Sequence, residues 1–154
     1  MTIADHPVVG EVGFAAWKSS DAFDPAYANA EVIERVRHDF AIFPQMTTGD
    51  VHLAVLEGAI VGWTARDNDR DYVSDVWVHP DCQGRGIGRT LVLHILDVIA
   101  AEGHPLARIS THASNSTAIR LYERCGFEIV WRGIEFSKSM NVDLEKVRME
   151  KRLV

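Results

Sequence analysis

The segment Val76–Arg89 constrains the fold of this 154-residue chain more than any other feature of its sequence. It reads VWVHPDCQGRGIGR, so a β-rich apolar run ends at Pro80 and a glycine-rich stretch leads directly into a helix-like apolar run. A glycine turn at a helix start gathers free backbone N–H groups at the positive end of the helix dipole. The segment therefore predicts a strand, an anion-binding turn and a helix, with Arg85 and Arg89 adding positive charge.

Two common phosphate-binding motifs do not match this turn. The dinucleotide fingerprint G-x-G-x-x-G needs a third glycine where the chain has Arg89. The P-loop needs G-K-[ST] at the end of the run, and that sequence is absent. The pattern that fits is Q/R-x-x-G-x-G/A, formed by Gln83, Gly84, Arg85, Gly86, Ile87 and Gly88.

A second motif, N-x-x-A-x-x-L-Y-x-x-x-G-F, runs from Asn115 to Phe127. In this order the two motifs resemble those of the GCN5-related N-acetyltransferases, the GNAT family, and the resemblance covers nearly all of the chain from Val51 onward. It implies an α/β fold with a V-shaped mixed sheet flanked by helices. The sheet would splay between strands at residues 72–78 and 106–111, with acetyl-CoA inserted in the gap.

The resemblance also implies which residues bind acetyl-CoA. The pantetheine arm would pair with the backbone of Val76, Trp77 and Val78 as an added strand. The pyrophosphate would lie on the amides of Gln83, Gly84, Arg85, Gly86, Ile87, Gly88 and Arg89. Asn115 would bond the cofactor or the neighbouring strand, and a helix N-cap is its equally compatible alternative role.

Three residues are candidates for proton transfer. Tyr122 matches the family position that protonates the leaving thiolate, and its phenol, with an ordinary pKa of about 10, can donate to a sulfur of pKa about 8.5. Its alternative role is to pack on Phe127. Asp75 is the first candidate for the general base, with a solvated strand carboxylate as the alternative, and His112 is the second. Ser110 stands where some protein-modifying relatives carry a glutamate, and this difference disfavours a ribosomal protein as the acceptor.

These residues predict acetyl transfer from acetyl-CoA to a primary amine by direct attack in a ternary complex. The acceptor would be a small-molecule amine or a peptide amino group, and no metal is expected. A non-catalytic acyl-CoA-binding regulatory module is the alternative, and a structural domain with a vestigial glycine loop is the third possibility.

Composition narrows the remaining classes. Sixteen Lys and Arg against 22 Asp and Glu give a net charge of −6, and no basic block is present, which disfavours nucleic-acid binding. Cys82 and Cys125 match no paired metal-ligand spacing. No signal peptide or membrane-length apolar run is found, so we expect a single cytoplasmic domain spanning residues 1–154. A homodimer through the C-terminal strands is an expectation from the family resemblance.

The residue pattern predicts the order of the elements. Asp5 caps a first helix that runs to about Trp17, and Asp24 with Pro25 starts a second that ends before Pro44. Strands are expected at residues 51–56, 60–65, 72–78, 106–111, 128–135 and 143–153, with Glu57-Gly58 as the first hairpin turn. Helices are expected at 87–101 and from a cap at Ser114 or Asn115 to near Gly126. Only residues 1–4 remain for the strand with which the family usually opens, so we expect that strand to be short, absent or supplied by another subunit.

Overall fold

A computed structural model describes all residues from Met1 to Val154. The helices are α1 (His6–Ser19), α2 (Ala30–Met46), α3 (Ile87–Ala101) and α4 (Ser116–Arg124). The strands are β1 (Val51–Leu56), β2 (Ala59–Arg66), β3 (Tyr72–Val78), β4 (Leu106–His112), β5 (Glu128–Ser137) and β6 (Val142–Arg152). Short 3-10 turns at Ile3–Asp5 and Pro80–Cys82 precede α1 and α3. None of the helices is both long enough and apolar enough to span a bilayer.

The six strands form one mixed sheet in the order β1-β2-β3-β4-β6-β5. All neighbours are antiparallel except β3 and β4, which are parallel and pair only through Tyr72 with Arg108 and Val73 with Ile109. Beyond these two pairs the strands diverge. The predicted mixed sheet, splayed between these two strands and flanked by helices, is therefore confirmed.

Helices cover the two faces of the sheet differently. On one side, here called the α3/α4 face, the core is built from buried residues of α3, α4, β3, β4 and β6, among them Ile95, Ile99 and Met149. On the other side, the α1/α2 face, Trp63 of β2 and Leu144 of β6 belong to two smaller clusters with residues of α1 and α2. The α1/α2 face of the C-terminal strands is only partly covered as a result.

A β-bulge in β3 changes which side chains face which helices. Ala65 of β2 lies opposite Asp75, but the next residue, Arg66, lies opposite Val73, so Ser74 is the extra residue. Val73 packs in the α3/α4 core, whereas Trp77 packs with residues of α1 and α2. The bulge therefore turns Asp75 and Trp77 to the α1/α2 face.

Most element predictions are confirmed, and several match to the residue. β1, β3 and α3 have the predicted bounds, and β2, β4, β5 and β6 differ from prediction by no more than two residues at either end. Glu57 and Gly58 both have positive φ, at 51° and 81°, as a tight hairpin turn of mirror-image type requires. Gly126 ends the α4 segment with φ 95°.

The predicted start of the second helix is wrong. Asp24 and Pro25 form a turn instead, in which the Asp24 carboxylate accepts a hydrogen bond from the amide of Ala26 at 2.9 Å. The helix begins at Ala30, and Asn29 caps it by accepting from Val32 N–H at 3.0 Å. It also continues past Pro44 to Met46, because a proline in the last turn removes only one helix hydrogen bond.

At the N-terminus, the predicted capping by Asp5 is wrong, and of the alternatives for the first strand the structure has its absence. Asp5 stands at the N-cap position of α1, but its carboxylate accepts hydrogen bonds from Thr2 and none from the helix. No strand precedes α1, and the sheet begins with β1.

α1 contains glycines because it packs closely against its neighbours: a Cβ on Gly13 would lie 2.6 Å from the Phe40 ring and 2.9 Å from the Trp63 ring.

Candidate active site

A cleft of about 430 Å³ lies beside the end of β3, the part of this strand that does not pair with β4. Its walls come from the end of β3, the glycine turn with the start of α3, α4, and the end of α1. The predicted cofactor-binding residues that line it are Val76, Trp77, Val78, Gln83, Gly84, Gly86, Ile87, Gly88, Arg89, Asn115 and Tyr122. Of the predicted set only Arg85 is not part of the lining.

The glycine turn presents free backbone donors to this cleft. Among the turn and cap hydrogen bonds, none uses a backbone N–H of residues 83–89, and the first is Thr90 N–H to Gly86 O at 3.0 Å. Gly84 and Gly86 have φ of 76° and 80°, and a Cβ at either would meet no atom within 4 Å. Such a run of amides at the start of α3 is suited to binding an anion.

The open edge of β3 offers further backbone groups. Because His79 N–H donates to Val61 O of β2, alternation along the strand directs the backbone groups of Val76 and Val78 toward the gap. The Val78 carbonyl is already used, since the Gln83 side-chain amide donates to it at 3.0 Å. The amides of Val76 and Val78 remain available to an extended ligand that adds to the strand.

Tyr122 is almost completely buried in α4, and its ring packs edge-on against Phe127 at a centroid distance of 6.1 Å. The packing role and the position in the cleft are therefore both present. Burial raises the pKa of the Tyr122 phenol above its ordinary value, and the negative charge of Asp75 raises it further. The phenol thus keeps its proton at neutral pH and can serve as a hydrogen-bond donor.

Asn115 and the arginines of the turn have different local roles. The Asn115 side chain caps α4 by accepting from Ala118 N–H at 3.3 Å, and it donates to Thr111 Oγ at 3.3 Å. Its N-cap role is confirmed, and it also lines the cleft. Arg85 is exposed, and no carboxylate pairs with it or with Arg89. Both guanidinium groups are therefore available to an anion.

Asp75 lies at the splay but outside the cleft lining. Its Oδ1 accepts from Trp77 Nε1 at 3.0 Å, and its backbone carbonyl accepts from the buried Thr64 hydroxyl at 2.8 Å. Burial raises the pKa of the Asp75 carboxyl above its ordinary value, although hydrogen bonds from Trp77 and Ser74 act in the opposite direction. A carboxylate with a raised pKa is a stronger base than one in water.

His112 lies at the end of β4 and also outside the cleft lining, opposite Lys146 of β6. Burial lowers the pKa of His112, and the positive charge of Lys146 lowers it further. The imidazole is therefore neutral at physiological pH. Neither candidate base shares the cleft with Tyr122, so the structure brings together the predicted cofactor residues but keeps both bases on its periphery.

Sequence reasoning missed the contribution of α1 and the end of α4 to the cleft. Ala16, Ser19, Ser20, Asp21, Thr117 and Arg124 all line it. Asp21 fixes this wall, because its carboxylate accepts from the backbone N–H and the hydroxyl of Thr117, at 3.2 and 2.8 Å. No motif in the loop after α1 predicts this contact. Arg124, at the far end of α4, lies three residues after Leu121, and this i,i+3 spacing could have placed it on the cleft side of the helix.

The sequence and the fold match those of a known class of proteins. Residues 16–127 match the model of the acetyltransferase (GNAT) family, which is most of the chain. The chain therefore belongs to the GNAT family of acetyltransferases. Its sequence is 39% identical over 59 residues to a ribosomal protein bS18-alanine N-acetyltransferase of Salmonella typhimurium. That match covers 38% of this chain and only 40% of the relative's length.

Solved structures share the complete fold at low sequence identity. A GCN5-related N-acetyltransferase from Rhodopseudomonas palustris superposes with a TM-score of 0.79 at 21% identity, over 99% of this chain and 92% of that one. The PaiA N-acetyltransferase from Thermoplasma acidophilum, in complex with coenzyme A, gives 0.72 at 20% identity, over 99% and 95%. These similarities establish the fold.

Proposed function

We propose that this chain is an acetyl-CoA-dependent N-acetyltransferase that acetylates a primary amine of a small molecule or a peptide. One observation carries the proposal: the unpaired amides of residues 83–89 and the proton-bearing side chain of Tyr122 line a single cleft. The first group suits a diphosphate, and the second suits a leaving thiolate. The similarity to an enzyme that acetylates an alanine of a ribosomal protein supports an amino group as the acceptor.

The chain's own residues divide the task of binding between two sites. The amides at the start of α3, with Arg89 beside them, hold the diphosphate. The edge amides of Val76 and Val78 align the extended arm along β3 and provide a donor that can polarise a carbonyl oxygen. Acetyl-CoA, when bound, supplies an acetyl group activated as a thioester.

Two side chains on opposite faces of the sheet then move protons. Asp75, on the α1/α2 face, takes a proton from the acceptor nitrogen as that nitrogen bonds to the acetyl carbon. Tyr122, on the α3/α4 face, gives its hydroxyl proton to the sulfur as the carbon–sulfur bond breaks. The products are an N-acetylated amine and the free thiol of coenzyme A, so atoms and charges balance once Asp75 and Tyr122 exchange protons with solvent.

Calorimetry with acetyl-CoA and a thiol-release assay over an amine panel test this proposal. We expect wild-type protein to bind acetyl-CoA and to release thiol with at least one amine. Replacing Tyr122 by Phe should lower kcat about 100-fold, near the lower end of general-acid effects, and leave acetyl-CoA affinity within about twofold. Tyr27→Phe, which alters an exposed tyrosine, is the control.

The two measurements distinguish the alternatives. Binding without turnover across the panel would favour the non-catalytic acyl-CoA-binding module. Absence of acetyl-CoA binding would reject both functions. Full turnover by the Tyr122→Phe variant would remove this residue from the mechanism while leaving the enzyme assignment in place.

A further inference from the structure

A second concavity, of about 470 Å³, lies on the part of the α1/α2 face that the helices leave open. We call it the open groove. Its floor is formed by β4, β6 and β5, and its lining includes Tyr72, Ser110, Trp131, Glu135, Lys146 and Arg148. Along β6, Lys146 and Arg148 alternate with the fully buried Val147 and Met149, so the two cations project away from the α3/α4 core.

The groove begins where β3 and β4 separate. Ile109 is the last β4 residue paired with β3, and Ser110 is the next residue along the strand. Arg148 lies directly opposite Ser110, and Lys146 lies opposite His112. The bulge in β3 turns Asp75 to this same face. An amine held at the splay beside Asp75 would therefore have the rest of its molecule over the open groove.

Positive side chains outnumber negative ones at the end of the open groove beside Ser110. Lys146 and Arg148 both contact one carboxylate, that of Glu135, with Lys146 at 3.8 Å. The Arg148 guanidinium also lies over the Trp131 ring, at 4.4 Å from its centroid, which fixes its plane. Two cations sharing one carboxylate leave one positive charge beside Ser110.

Acidic groups elsewhere in the groove do not cancel this charge. Arg108 lies where β3 and β4 are still paired, opposite Tyr72. Its guanidinium donates two hydrogen bonds to the Asp71 carboxylate, at 3.0 and 2.7 Å. The remaining acid of the lining, Glu150, lies opposite Arg108 rather than beside the splay. The surplus cation is therefore local to the end of the groove that faces the reacting amine.

We infer that the acceptor carries a carboxylate, which Lys146 and Arg148 bind while its amino group reaches the splay. This inference rests on the proposed acetyltransferase function and names its substrate class. Strands lie about 5 Å apart, so a carboxylate held over β6 or β5 is roughly 5–10 Å from an amine at Ser110. A dipeptide with a free C-terminus, or an amino acid with an acidic side chain, spans that distance, and a simple α-amino acid does not.

Matched acceptors test the inference. Ala-Ala and its C-terminal amide differ only in the carboxylate, as do glutamate and glutamine, and alanine with its amide provides the short control pair. We expect the free acids of the two longer pairs to have kcat/KM at least about tenfold above their amides, mainly through KM, because a bidentate charged contact is strong. Binding of the same compounds to the coenzyme A-saturated protein, measured by calorimetry, should show the same preference.

Two variants assign the preference to the groove. Lys146→Gln and Arg148→Gln should each reduce the acid-to-amide ratio about fivefold or more. Arg132→Gln is the matched control, because Arg132 lies on the same strand pair, also contacts a β6 glutamate, Glu145, and is absent from the groove lining. Its acid-to-amide ratio should equal that of the wild type.

The inference is overturned if acids and amides bind the coenzyme A-saturated protein equally, or if the two variants leave the ratio unchanged. A preference for polyamines over acids would overturn it as well. In each of these cases acetyl-CoA binding and thiol release with some other amine would leave the acetyltransferase assignment intact. Because the binding measurement needs no turnover, it decides the question for the groove even if the protein proves to be a non-catalytic module.

Discussion

Burial raises the pKa of two residues, Tyr122 and Asp75, but it prepares them for different tasks. For the phenol a higher pKa means that the proton is present at every physiological pH. For the carboxyl it means that the ionised form is a stronger base than an exposed aspartate. The third candidate, His112, is affected in the opposite direction, because burial and Lys146 lower the pKa of its imidazole and weaken it as a base.

Asp75→Asn separates catalysis from stability at this position. Asn keeps the Oδ1 that accepts from Trp77, so the fold should be retained. Without the base we expect kcat to fall about 100-fold, whereas His112→Gln should change kcat by less than about threefold. The measurement is the thiol-release rate of both variants at saturating acetyl-CoA. A large effect of His112→Gln together with a small one of Asp75→Asn would make His112 the base.

The same substitution should raise stability at neutral pH. Because the pKa of the Asp75 carboxyl is higher in the folded chain than in the unfolded chain, the unfolded state binds fewer protons at this group. The free energy of unfolding therefore falls as the pH rises through the folded pKa. Asp75→Asn should therefore increase the Tm at pH 7, and the gain should vanish at a pH below about 3.8, where the carboxyl is protonated in both states. An equal gain at both pH values would contradict this account.

The candidate site illustrates which residues a sequence can and cannot place. Tyr122, Asn115 and the glycine turn could be predicted because each lies in a motif whose spacing fixes its position on an element. The face on which Asp75 lies could not, because the one-residue bulge at Ser74 reverses the alternation of β3. The wall formed by Asp21 and the charge of Lys146 beside His112 depend on segments that meet only in the folded chain.

At the scale of elements, α3 has the predicted bounds because several local preferences agree: a glycine turn before it, a broad apolar face and a glycine shortly after it. α2 is the counterexample. Asp24-Pro25 and Asn29 are both acceptable starts, and the packing of Ala28, Val32 and Val36 against Trp17 and Met140 selects the later one. Met140 lies more than a hundred residues away in the chain, so no local sequence pattern predicts this contact.

The two ends of α3 allow the role of the glycine turn to be tested. Gly86 before the helix and Gly103 after it have φ of 80° and 86°, and a Cβ at either meets nothing within 4 Å. Alanine at either position should lower the free energy of unfolding by about 1–2 kcal/mol, the cost of a left-handed conformation. Only Gly86→Ala should also weaken acetyl-CoA binding, by about tenfold or more, because its methyl group enters the space beside the free amides. Equal affinities of the two variants for acetyl-CoA in calorimetry would argue against an anion site at this turn.

At the scale of the whole molecule, β3 and β4 pair at one end of the sheet, the closed end, and diverge at the other, the open end. β3 and β4 share only two residue pairs, so the sheet ladder holds the halves weakly. Ion pairs reinforce the closed end. The fully buried Arg66, at the end of β2, contacts Asp50 and Glu102, each at 2.8 Å, and donates to the Arg70 carbonyl at 2.9 Å. The open end, where the cleft lies, has no comparable network, which leaves its backbone groups to a ligand.

The ion-pair network around Arg66 makes the free energy of unfolding depend on pH. Hydrogen bonds from Arg66 and Arg70 lower the pKa of Glu102 to about 2. Partial burial opposes the effect at Asp50, but its hydrogen bonds with Arg66 and His52 lower the pKa of that carboxyl well below its ordinary value. Since both pKa values are lower in the folded chain, the unfolded state binds more protons as pH falls, and this stability is present above about pH 4.5 and is lost progressively below it.

Arg66→Met should therefore destabilise the protein in a pH-dependent manner. Methionine fills much of the buried volume but leaves the Arg70 carbonyl without its donor and the two carboxylates with Arg70 as their only arginine, so we expect a loss of about 3 kcal/mol at pH 7 in urea unfolding. The gap between wild type and variant should narrow at pH 3, because the unfolded chain then binds protons at Asp50 and Glu102, whereas the folded wild type, in which both pKa values are lowered, does not. Arg70→Met, which alters the exposed partner of the same carboxylates, should cost less than about 1 kcal/mol. If the gap were constant between pH 7 and pH 3, Arg66 would stabilise the closed end by packing rather than by charge.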